Sequence, residues 1–248
     1  MKDKIESAAN VLRGSIHTTV FTGAGISVES GIPPFRGPKG IWSIYDPKVL
    51  EIDYFLSHPS ESWKAIRKIF YEHFQRATPN SAHIALAEME QQGIVKSIIT
   101  QNIDNLHQEA GSQLVYEYHG NYKRLVCTHC GEFYEATPEL ISELPPLCPK
   151  DDQVLKPDFI FFGEAIPQKA NAASYHEANI ADVFLLIGTT GEVMPANLVP
   201  RMAKQNGATI IEVNPEPSSY THDITDIFLQ GRAGEVLPLL AERVLKRK

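Results

Sequence analysis

Apolar residues along this chain occur in two patterns that alternate from one end to the other. Short continuous apolar runs predict buried strands at Ile16–Thr22, Val95–Thr100, Leu114–Tyr118, Val183–Ile187 and Thr209–Val213. Apolar positions three and four residues apart predict helices at Ile5–Leu12, within Tyr54–Phe74 (two), at Asn80–Gln92, before Ala110, at Ala196–Gln205 and at Gly234–Leu245. Strands that alternate with helices indicate an α/β fold, in which a parallel sheet carries helices on both faces.

Polar or glycine-containing motifs follow each of the predicted strands directly. They begin at Gly23, Gln101, His119, Gly188 and Asn214. Open α/β sheets bind their ligands at the carboxyl ends of the strands. The recurrence of these motifs therefore predicts a ligand site along that edge of the sheet.

The first of these motifs, Gly23-Ala24-Gly25, ends a buried strand and leads towards a helix. Glycines let the backbone approach a bulky ligand, and the N–H groups that open a helix favour an anion such as a pyrophosphate. The next glycine is Gly31, so the spacing is not the Gly-x-Gly-x-x-Gly of dehydrogenases. A glycine-rich turn without a ligand is the alternative.

The second and third motifs carry side chains suited to chemistry. In Gln101-Asn102-Ile103-Asp104, the amides and the carboxylate can hold ribose hydroxyls or a carboxamide. Helix capping is the alternative for Asn102 and Asp104, but it does not account for Gln101. His119 ends the following strand, and an imidazole suits general-base work near neutral pH.

The last two motifs are typical of the second half of a dinucleotide site. Gly188-Thr189-Thr190 offers small residues against which an adenosine can lie, and Asn214 or Glu216 can bind ribose hydroxyls. Ordinary turns between strands and helices are the alternative for both motifs.

Three cysteines fall in one segment whose character differs from the rest, with short strands and a short helix predicted near Pro138–Leu144. Cys127, Cys130 and Cys148 supply three of the four ligands of a zinc ribbon, and Asp151 stands at the fourth position. His129 and Asp152 are further candidates, and a degenerate module without metal is the alternative.

Composition narrows the classes of partner. The 248 residues are 43% apolar and carry a net charge of −7, which argues against nucleic acid as the main partner. No apolar run approaches the length of a membrane span, and the N-terminus lacks a signal-peptide pattern. Few cysteines, grouped as for a metal, favour a reducing compartment, so we expect a cytoplasmic protein.

Together these motifs closely resemble those of the sirtuins, the NAD-dependent protein lysine deacylases. The resemblance covers nearly the whole chain, from about residue 10 to residue 240. The matching stretches are Gly23-Ala-Gly-Ile-Ser27, Gly31-Ile-Pro, Phe35-Arg36-Gly37, Thr100-Gln-Asn-Ile-Asp104, His119-Gly120, the cysteine segment, Phe162-Gly-Glu164, Gly188-Thr189, Val193-x-Pro-Ala196 and Asn214.

The resemblance implies a division of the chain into two parts. Residues 1–37, 78–123 and 154–248 would form a Rossmann-like NAD-binding domain. Residues 38–77, a helical module, and 124–153, the cysteine module, would form a small domain that binds structural zinc. A monomer is expected.

The resemblance also assigns roles to residues. The implied NAD-binding residues are Gly23, Ala24, Gly25, Ser27, Phe35, Arg36, Gln101, Asn102, Ile103, Asp104, Gly188, Thr189, Thr190, Asn214, Glu216 and Ala233. His119 would be the general base, with Asn102 also catalytic. Phe162, Gly163, Glu164 and Val193 would bracket an acyl-lysine peptide that adds as a strand. The Phe35-Arg36 segment would act as a flap over the nicotinamide side.

The implied reaction consumes NAD. The acyl oxygen of the substrate lysine attacks C1′ of the ribose, and nicotinamide leaves. His119 then draws a proton from a ribose hydroxyl, which attacks the former acyl carbon. After water completes the turnover, the products are free lysine, nicotinamide and O-acetyl-ADP-ribose for an acetyl substrate.

The chain departs from the sirtuin pattern at several positions. Asp151 replaces the fourth cysteine, and Thr190-Gly191 replaces the usual Ser-Leu, a change expected to widen or loosen the substrate cleft. Sirtuins that prefer acidic acyl groups carry Tyr-x-x-Arg, which occurs nowhere in this chain; the corresponding region offers Ile66 and Ile69. We therefore expect acetyl or longer neutral acyl groups to be preferred over succinyl.

Two other functions are compatible with part of the pattern. An NAD glycohydrolase or mono-ADP-ribosyltransferase needs the same ribose chemistry, but it has no use for the peptide-pairing motifs Phe162-Gly-Glu164 and Val193-x-Pro. A non-catalytic NAD-binding module has no use for Asn102 and His119.

Overall fold

A computed structural model describes residues 2–35, 40–74 and 76–246 of the chain. Arg36, one of the residues expected on the nicotinamide side, lies outside the described residues.

Nine strands form two sheets in the described part of the chain. They are β1 (Thr18–Thr22), β2 (Val95–Thr100), β3 (Val115–Glu117), β4 (Gly120–Cys127), β5 (Phe133–Glu135), β6 (Leu155–Phe159), β7 (Val183–Ile187), β8 (Thr209–Asn214) and β9 (Ile227–Gln230). Six of them make a parallel sheet in the order β3-β2-β1-β7-β8-β9. The strand order reverses between β1 and β7, which is the place where open α/β sheets bind ligands.

The described α-helices are α1 (Lys2–Gly14), α2 (Ile52–Ser57), α3 (Pro59–Ile66), α4 (Glu72–Phe74), α5 (Ser81–Gln91), α6 (Leu106–Glu109), α7 (Gln168–Ile180), α8 (Leu198–Gln205) and α9 (Ala233–Leu245). Short 3₁₀-helices cover Ala24–Ser30, Ile41–Ser43 and Pro47–Leu50, and a π-helical turn covers Arg67–Tyr71. None of the helices in residues 2–35, 40–74 and 76–246 is both long and apolar enough to cross a membrane.

Helices cover both faces of the parallel sheet. On one face α1, α5 and α9 pack against strand residues such as Val20 and Leu185. On the other face α7 and α8 pack against their chain neighbours Phe21 and Leu186. Alternate residues of a strand point to opposite faces, so a strand buried on both sides reads as a continuous apolar run. The expected α/β class is therefore confirmed.

A second apolar core lies beside the sheet. It joins the antiparallel sheet β5-β4-β6 to α3 and the π-helical turn, and it contains Trp63, Phe70 and the buried cysteines. The indole nitrogen of Trp63 donates to the carbonyl of Leu155 at 2.8 Å, which fixes α3 on β6. The exact division of the chain into domains stays a prediction.

Two local expectations differ from the structure, and some elements were not predicted. Residues 138–144 form turns instead of a short helix, and the segment ends at the pair Pro145-Pro146, where a helix cannot continue. The segment after Gly23 is a 3₁₀-helix. The structure adds α7 and β9: α7 buries only small or polar residues, namely Ser174, Glu177 and Ala178, so it gives little apolar signal.

Candidate active site

Two glycine turns meet where the strand order reverses. A Cβ on Gly23 would lie 2.8 Å from the carbonyl oxygen of Gly188, and a Cβ on Gly25 would lie 2.6 Å from the Cα of Gly188. The Gly25 amide donates to that same carbonyl at 2.8 Å. Because nothing larger than glycine fits between these backbones, the turns after β1 and β7 form one continuous floor.

Ser27, Asn102 and Asp104 form a buried polar cluster behind this floor. The Ser27 hydroxyl donates to Asp104 Oδ2 at 2.6 Å, and the Asn102 amide donates to Ser27 Oγ and to the Gly23 carbonyl, each at 3.2 Å. Burial raises the pKa of Asp104, and the bond from Ser27 opposes that rise. Asp104 Oδ1 also accepts from the Leu106 amide at 3.0 Å, at the start of α6, whose N-cap residue is Asn105.

His119 presents one ring nitrogen for chemistry. Its Nδ1 lies 3.0 Å from the carbonyl oxygen of Gln101. Because a carbonyl can only accept, Nδ1 carries the proton and Nε2 is left as an unprotonated acceptor. Burial lowers the pKa of His119, which the bond to Gln101 partly offsets. The imidazole is thus neutral at pH 7 and suited to accept a proton.

The ends of β2, β7 and β8 are joined by side chains of the predicted motifs. The Gln101 amide donates to Thr189 Oγ1 at 3.2 Å, and the Asn214 amide donates to the Thr189 carbonyl at 2.8 Å. Glu216 is exposed, and Ala233 opens α9. These bonds give the carboxyl edge of the sheet a fixed shape.

One cavity of about 870 Å³ runs along this edge. Its size falls within the range of cavities that bind cofactors and small molecules. Most predicted site residues line it: Gly23, Ala24, Gly25, Phe35, Gln101, Asn102, Ile103, His119, Phe162, Gly163, Glu164, Gly188, Thr189, Thr190, Val193, Asn214, Glu216 and Ala233. Ser27 and Asp104 are not lining residues: Ser27 contacts the lining residue Asn102, and Asp104 contacts Ser27.

The apolar end of the cavity was not predicted. Leu50, Phe70, Phe159 and Phe161 line it, and they come from the second core. Their spacing in the sequence resembles that of any core residues, so nothing marked them as part of a site. They are recognised as site residues only in the folded structure, where residues of the second core line the cavity.

Lys156 is a further residue that sequence reasoning missed. Its buried ammonium donates to the carbonyls of Pro157 and Phe159 and lies 3.0 Å from Glu164 Oε2. Glu164 Oε2 also accepts from the Phe161 amide at 2.7 Å. A buried charge requires such partners, and here they fix the Phe162-Gly-Glu164 segment at the cavity wall.

Gly191 does not widen the cleft as expected. A Cβ at this position would lie 2.7 Å from Cε2 of Tyr220, whose ring is fully buried. The space that a leucine side chain would take is therefore filled by Tyr220.

The three cysteines and Asp151 come together as predicted. One ligand atom from each lies within 4.8 Å of the others, and the sulfurs of Cys130 and Cys148 are 3.8 Å apart. Tetrahedral zinc with Zn–S bonds of about 2.3 Å places neighbouring sulfurs about 3.8 Å apart. The donor set therefore fits structural zinc. His129 Nδ1 lies 2.9 Å from Asp151 Oδ2 and contacts the cluster from outside.

Comparisons with known proteins agree with this geometry. The Sir2 family pattern matches residues 23–195. NAD-dependent protein deacylase 2 of Pyrobaculum aerophilum is 47% identical over 97% of this chain and 96% of its own length. The NAD-dependent protein deacylase of Pyrococcus furiosus is 45% identical over 95% of this chain and 96% of its own length.

A solved structure shares the fold as well. It holds a Sir2 protein with a deacetylated p53 peptide and 3′-O-acetyl-ADP-ribose, and it superimposes with a TM-score of 0.89 at 34% identity over 97% of each chain. With family pattern, relatives and fold in agreement over nearly the full length, the chain belongs to the Sir2 family.

Proposed function

We propose that this protein is an NAD-dependent protein lysine deacylase. One observation carries the proposal: His119, with Nδ1 bound to the Gln101 carbonyl and Nε2 left as an acceptor, lines the same cavity as Asn102 and the two glycine turns. Relatives at 47% and 45% identity are named as NAD-dependent protein deacylases. The p53 peptide and acetyl-ADP-ribose bound to the Sir2 protein of similar fold are the products expected of such a reaction.

NAD is a consumed substrate in this proposal. Its adenosine would lie against Gly188, Thr189, Asn214, Glu216 and Ala233, which line the half of the cavity beyond β7. Its pyrophosphate and nicotinamide ribose would lie over the floor formed by Gly23 and Gly25, with the Ser27–Asn102–Asp104 cluster behind. The proposed set of NAD-binding residues also includes Ala24, Phe35, Arg36, Gln101, Ile103 and Thr190.

The acyl-lysine peptide would enter between Phe162–Glu164 and Val193. The main chain of Phe162 is held by residues 50–52. Its amide donates to the Leu50 carbonyl at 2.8 Å, and its carbonyl accepts from the Ile52 amide at 3.0 Å. A peptide can then pair with fixed backbone on either side. After the acyl oxygen displaces nicotinamide, His119 Nε2 accepts the proton of the ribose hydroxyl that attacks the acyl carbon.

Further parts of the proposal concern the rest of the molecule. Cys127, Cys130, Cys148 and Asp151 would hold a zinc ion that has a structural role, away from the reacting atoms. The domain division given above remains part of the proposal, as does a monomeric state. None of the three cysteines forms a disulfide, which supports a cytoplasmic location.

We further propose that neutral acyl groups are preferred over acidic ones. Among the described residues that line the cavity, the only lysine or arginine is Arg232, and it lies at the start of α9 away from the apolar end. Ile66 and Ile69 are buried in the second core. The nearby Lys156 ammonium, which lies over the Phe161 ring, is already bound to Glu164 and to two carbonyls. A succinyl carboxylate at this end would therefore lose its hydration without gaining a free partner.

An assay with acetyl-lysine and succinyl-lysine peptides, with and without NAD, tests the proposal. Peptide, nicotinamide and ADP-ribose products are measured together. We expect NAD-dependent loss of acetyl, with nicotinamide released in step, and slower loss of succinyl. Nicotinamide release without peptide turnover would instead identify a glycohydrolase. A folded protein that binds NAD but yields no products would be a non-catalytic module.

A further inference from the structure

The side chain of Tyr220 fills a notch in the loop that follows β7. Gly191, at the base of the notch, has a φ of +73°. A Cβ there would collide with the rotatable hydroxyl of Ser219 and would lie 2.7 Å from Cε2 and 2.8 Å from Cζ of the tyrosine ring. Tyr220 is fully buried. A large ring at one position thus matches the absence of any side chain at the other.

Hydrogen bonds join the two loops around this notch. The Ser219 amide donates to the Thr190 carbonyl at 3.0 Å, and the Ser219 hydroxyl donates to the Gly191 carbonyl at 3.1 Å. The side-chain amide of Asn197 donates to that same carbonyl at 3.1 Å, and the Tyr220 hydroxyl donates to the Asn197 carbonyl at 3.3 Å. The contact therefore joins the loop after β8 to both ends of segment 191–197.

The loop that carries Tyr220 is itself anchored on β8. The buried carboxylate of Glu212 accepts from Ser218 at 2.5 Å, from Thr221 at 2.9 Å and from Thr225 at 2.7 Å. The Tyr220 amide donates to Ser218 Oγ at 3.0 Å. Tyr220 is thus fixed by the sheet, and segment 191–197 takes its position from Tyr220.

We propose that Tyr220 is a positioning residue for the acyl-lysine peptide. Its ring holds segment 191–195 where the backbone at Val193 can pair with the substrate, although Tyr220 itself lies outside the cavity lining. The inference rests on the proposed function. Loops without such support move readily, and a small misplacement of a substrate-pairing backbone is costly to turnover.

A double-mutant cycle tests whether the two positions act together. Gly191→Ala, Tyr220→Leu and the double variant are compared with the wild type by the KM for an acetyl-lysine peptide and by the Kd for NAD. Gly191→Ala should raise the peptide KM about tenfold in the wild type, because contacting residues couple. In the Tyr220→Leu background the ring contact is gone and the contact with the Ser219 hydroxyl remains, so the same change should raise the peptide KM about threefold or less. The Kd for NAD should change less than about threefold, since the bonds at Asn214 and Gln101 remain.

Two controls separate positioning from general damage. Gly207 has a φ of +94°, and a Cβ at this position would have no other atom within 4 Å. Gly207→Ala therefore introduces backbone strain without a steric clash, and it should leave the peptide KM unchanged. Tyr220→Phe keeps the ring and should keep the peptide KM within about twofold of the wild type. Melting temperatures of all variants accompany the kinetics.

The outcomes are distinct. A wild type that turns over no acyl peptide overturns the proposed function and this inference with it. An active wild type in which Gly191→Ala raises the peptide KM by the same factor in both backgrounds overturns this inference alone. If Gly191→Ala does not fold, Tyr220→Leu must still raise the peptide KM while Tyr220→Phe does not; equal values for these two variants also overturn it.

Discussion

At the scale of single residues, the site depends on groups whose state is set by a neighbour. His119 is the clearest case, because a backbone carbonyl selects its tautomer and burial lowers its pKa. Sequence reasoning found His119 from its place after a strand. It could not identify the Gln101 carbonyl as the partner, because every residue has a main-chain carbonyl and the residue type therefore does not indicate which one His119 contacts.

Replacement of His119 by alanine should abolish deacylation and leave NAD binding largely intact. Loss of a positioned general base reduces turnover by about 10²- to 10⁴-fold. Turnover of an acetyl-lysine peptide and the Kd for NAD are the measurements. His176→Ala, at an exposed position on α7, is the matched control. Turnover retained in His119→Ala would remove His119 from its proposed role.

The pH dependence of wild-type kcat/KM is a second test of the role of His119. A base acts when unprotonated, and burial lowers the pKa of His119 below its ordinary 6.5. The acid limb of kcat/KM should therefore have its midpoint below pH 6.5, and activity should persist as pH falls to that value. A midpoint above pH 6.5 would mean that another group limits the reaction.

At the scale of elements, continuous apolar runs were the most reliable guide. The bounds of β2 and β7 agree with the sequence pattern because both strands are buried on two faces. Edge strand β9 is short and half-exposed, and α7 buries small and polar residues, so neither gives a clear period. Lys156 and Tyr220 were missed for different reasons: Lys156 bonds to main-chain carbonyls and to Glu164 within its own segment, whereas Tyr220 acts through the distant segment 191–197.

Helix α5 begins at a residue that also supports the glycine turn. Asn80 Oδ1 accepts from the Ala82 amide at 2.9 Å, and its Nδ2 donates to the Ile26 carbonyl at 2.8 Å and to Ser30 Oγ at 2.9 Å. The sequence predicted a helix start here. The bonds to the 3₁₀-helix that follows β1 were not foreseeable from local pattern.

Asn80→Ala should lower the free energy of unfolding by about 1–2 kcal/mol, because it removes the cap and both bonds to the 3₁₀-helix. Asn80→Ser retains a neutral cap acceptor and loses the two donors, so its loss should be smaller. Urea unfolding at pH 7 gives both values. Equal losses in the two variants would mean that the cap contributes nothing.

At the scale of the whole molecule, the cavity lies between two apolar cores. The parallel sheet supplies its polar floor, and the second core supplies its apolar end through Phe159 and Phe161. The buried cysteines Cys127 and Cys148 belong to that second core. The cysteine cluster is therefore packed in the same core as the proposed acyl end, although it lies apart from the reacting atoms.

Zinc removal should affect the peptide side of the site more than the NAD side. We expect one zinc per chain by elemental analysis, and treatment with a chelator should lower the melting temperature by about 5–10 °C, because metal binding contributes to folding. The peptide KM should rise, whereas the Kd for NAD should change little because the parallel sheet has its own core.

Asp151 provides the matched comparison for the zinc prediction. Thiolates bind zinc more firmly than a carboxylate in structural sites, so Asp151→Cys should keep its metal at chelator concentrations that strip the wild type, and Asp151→Ala should lose it sooner. Retention in this order, with melting temperatures that follow it, requires that Asp151 is a ligand. The zinc prediction is wrong if the wild-type protein carries no zinc and melts at the same temperature with and without chelator. The cysteine cluster would then be held together by its apolar surroundings alone.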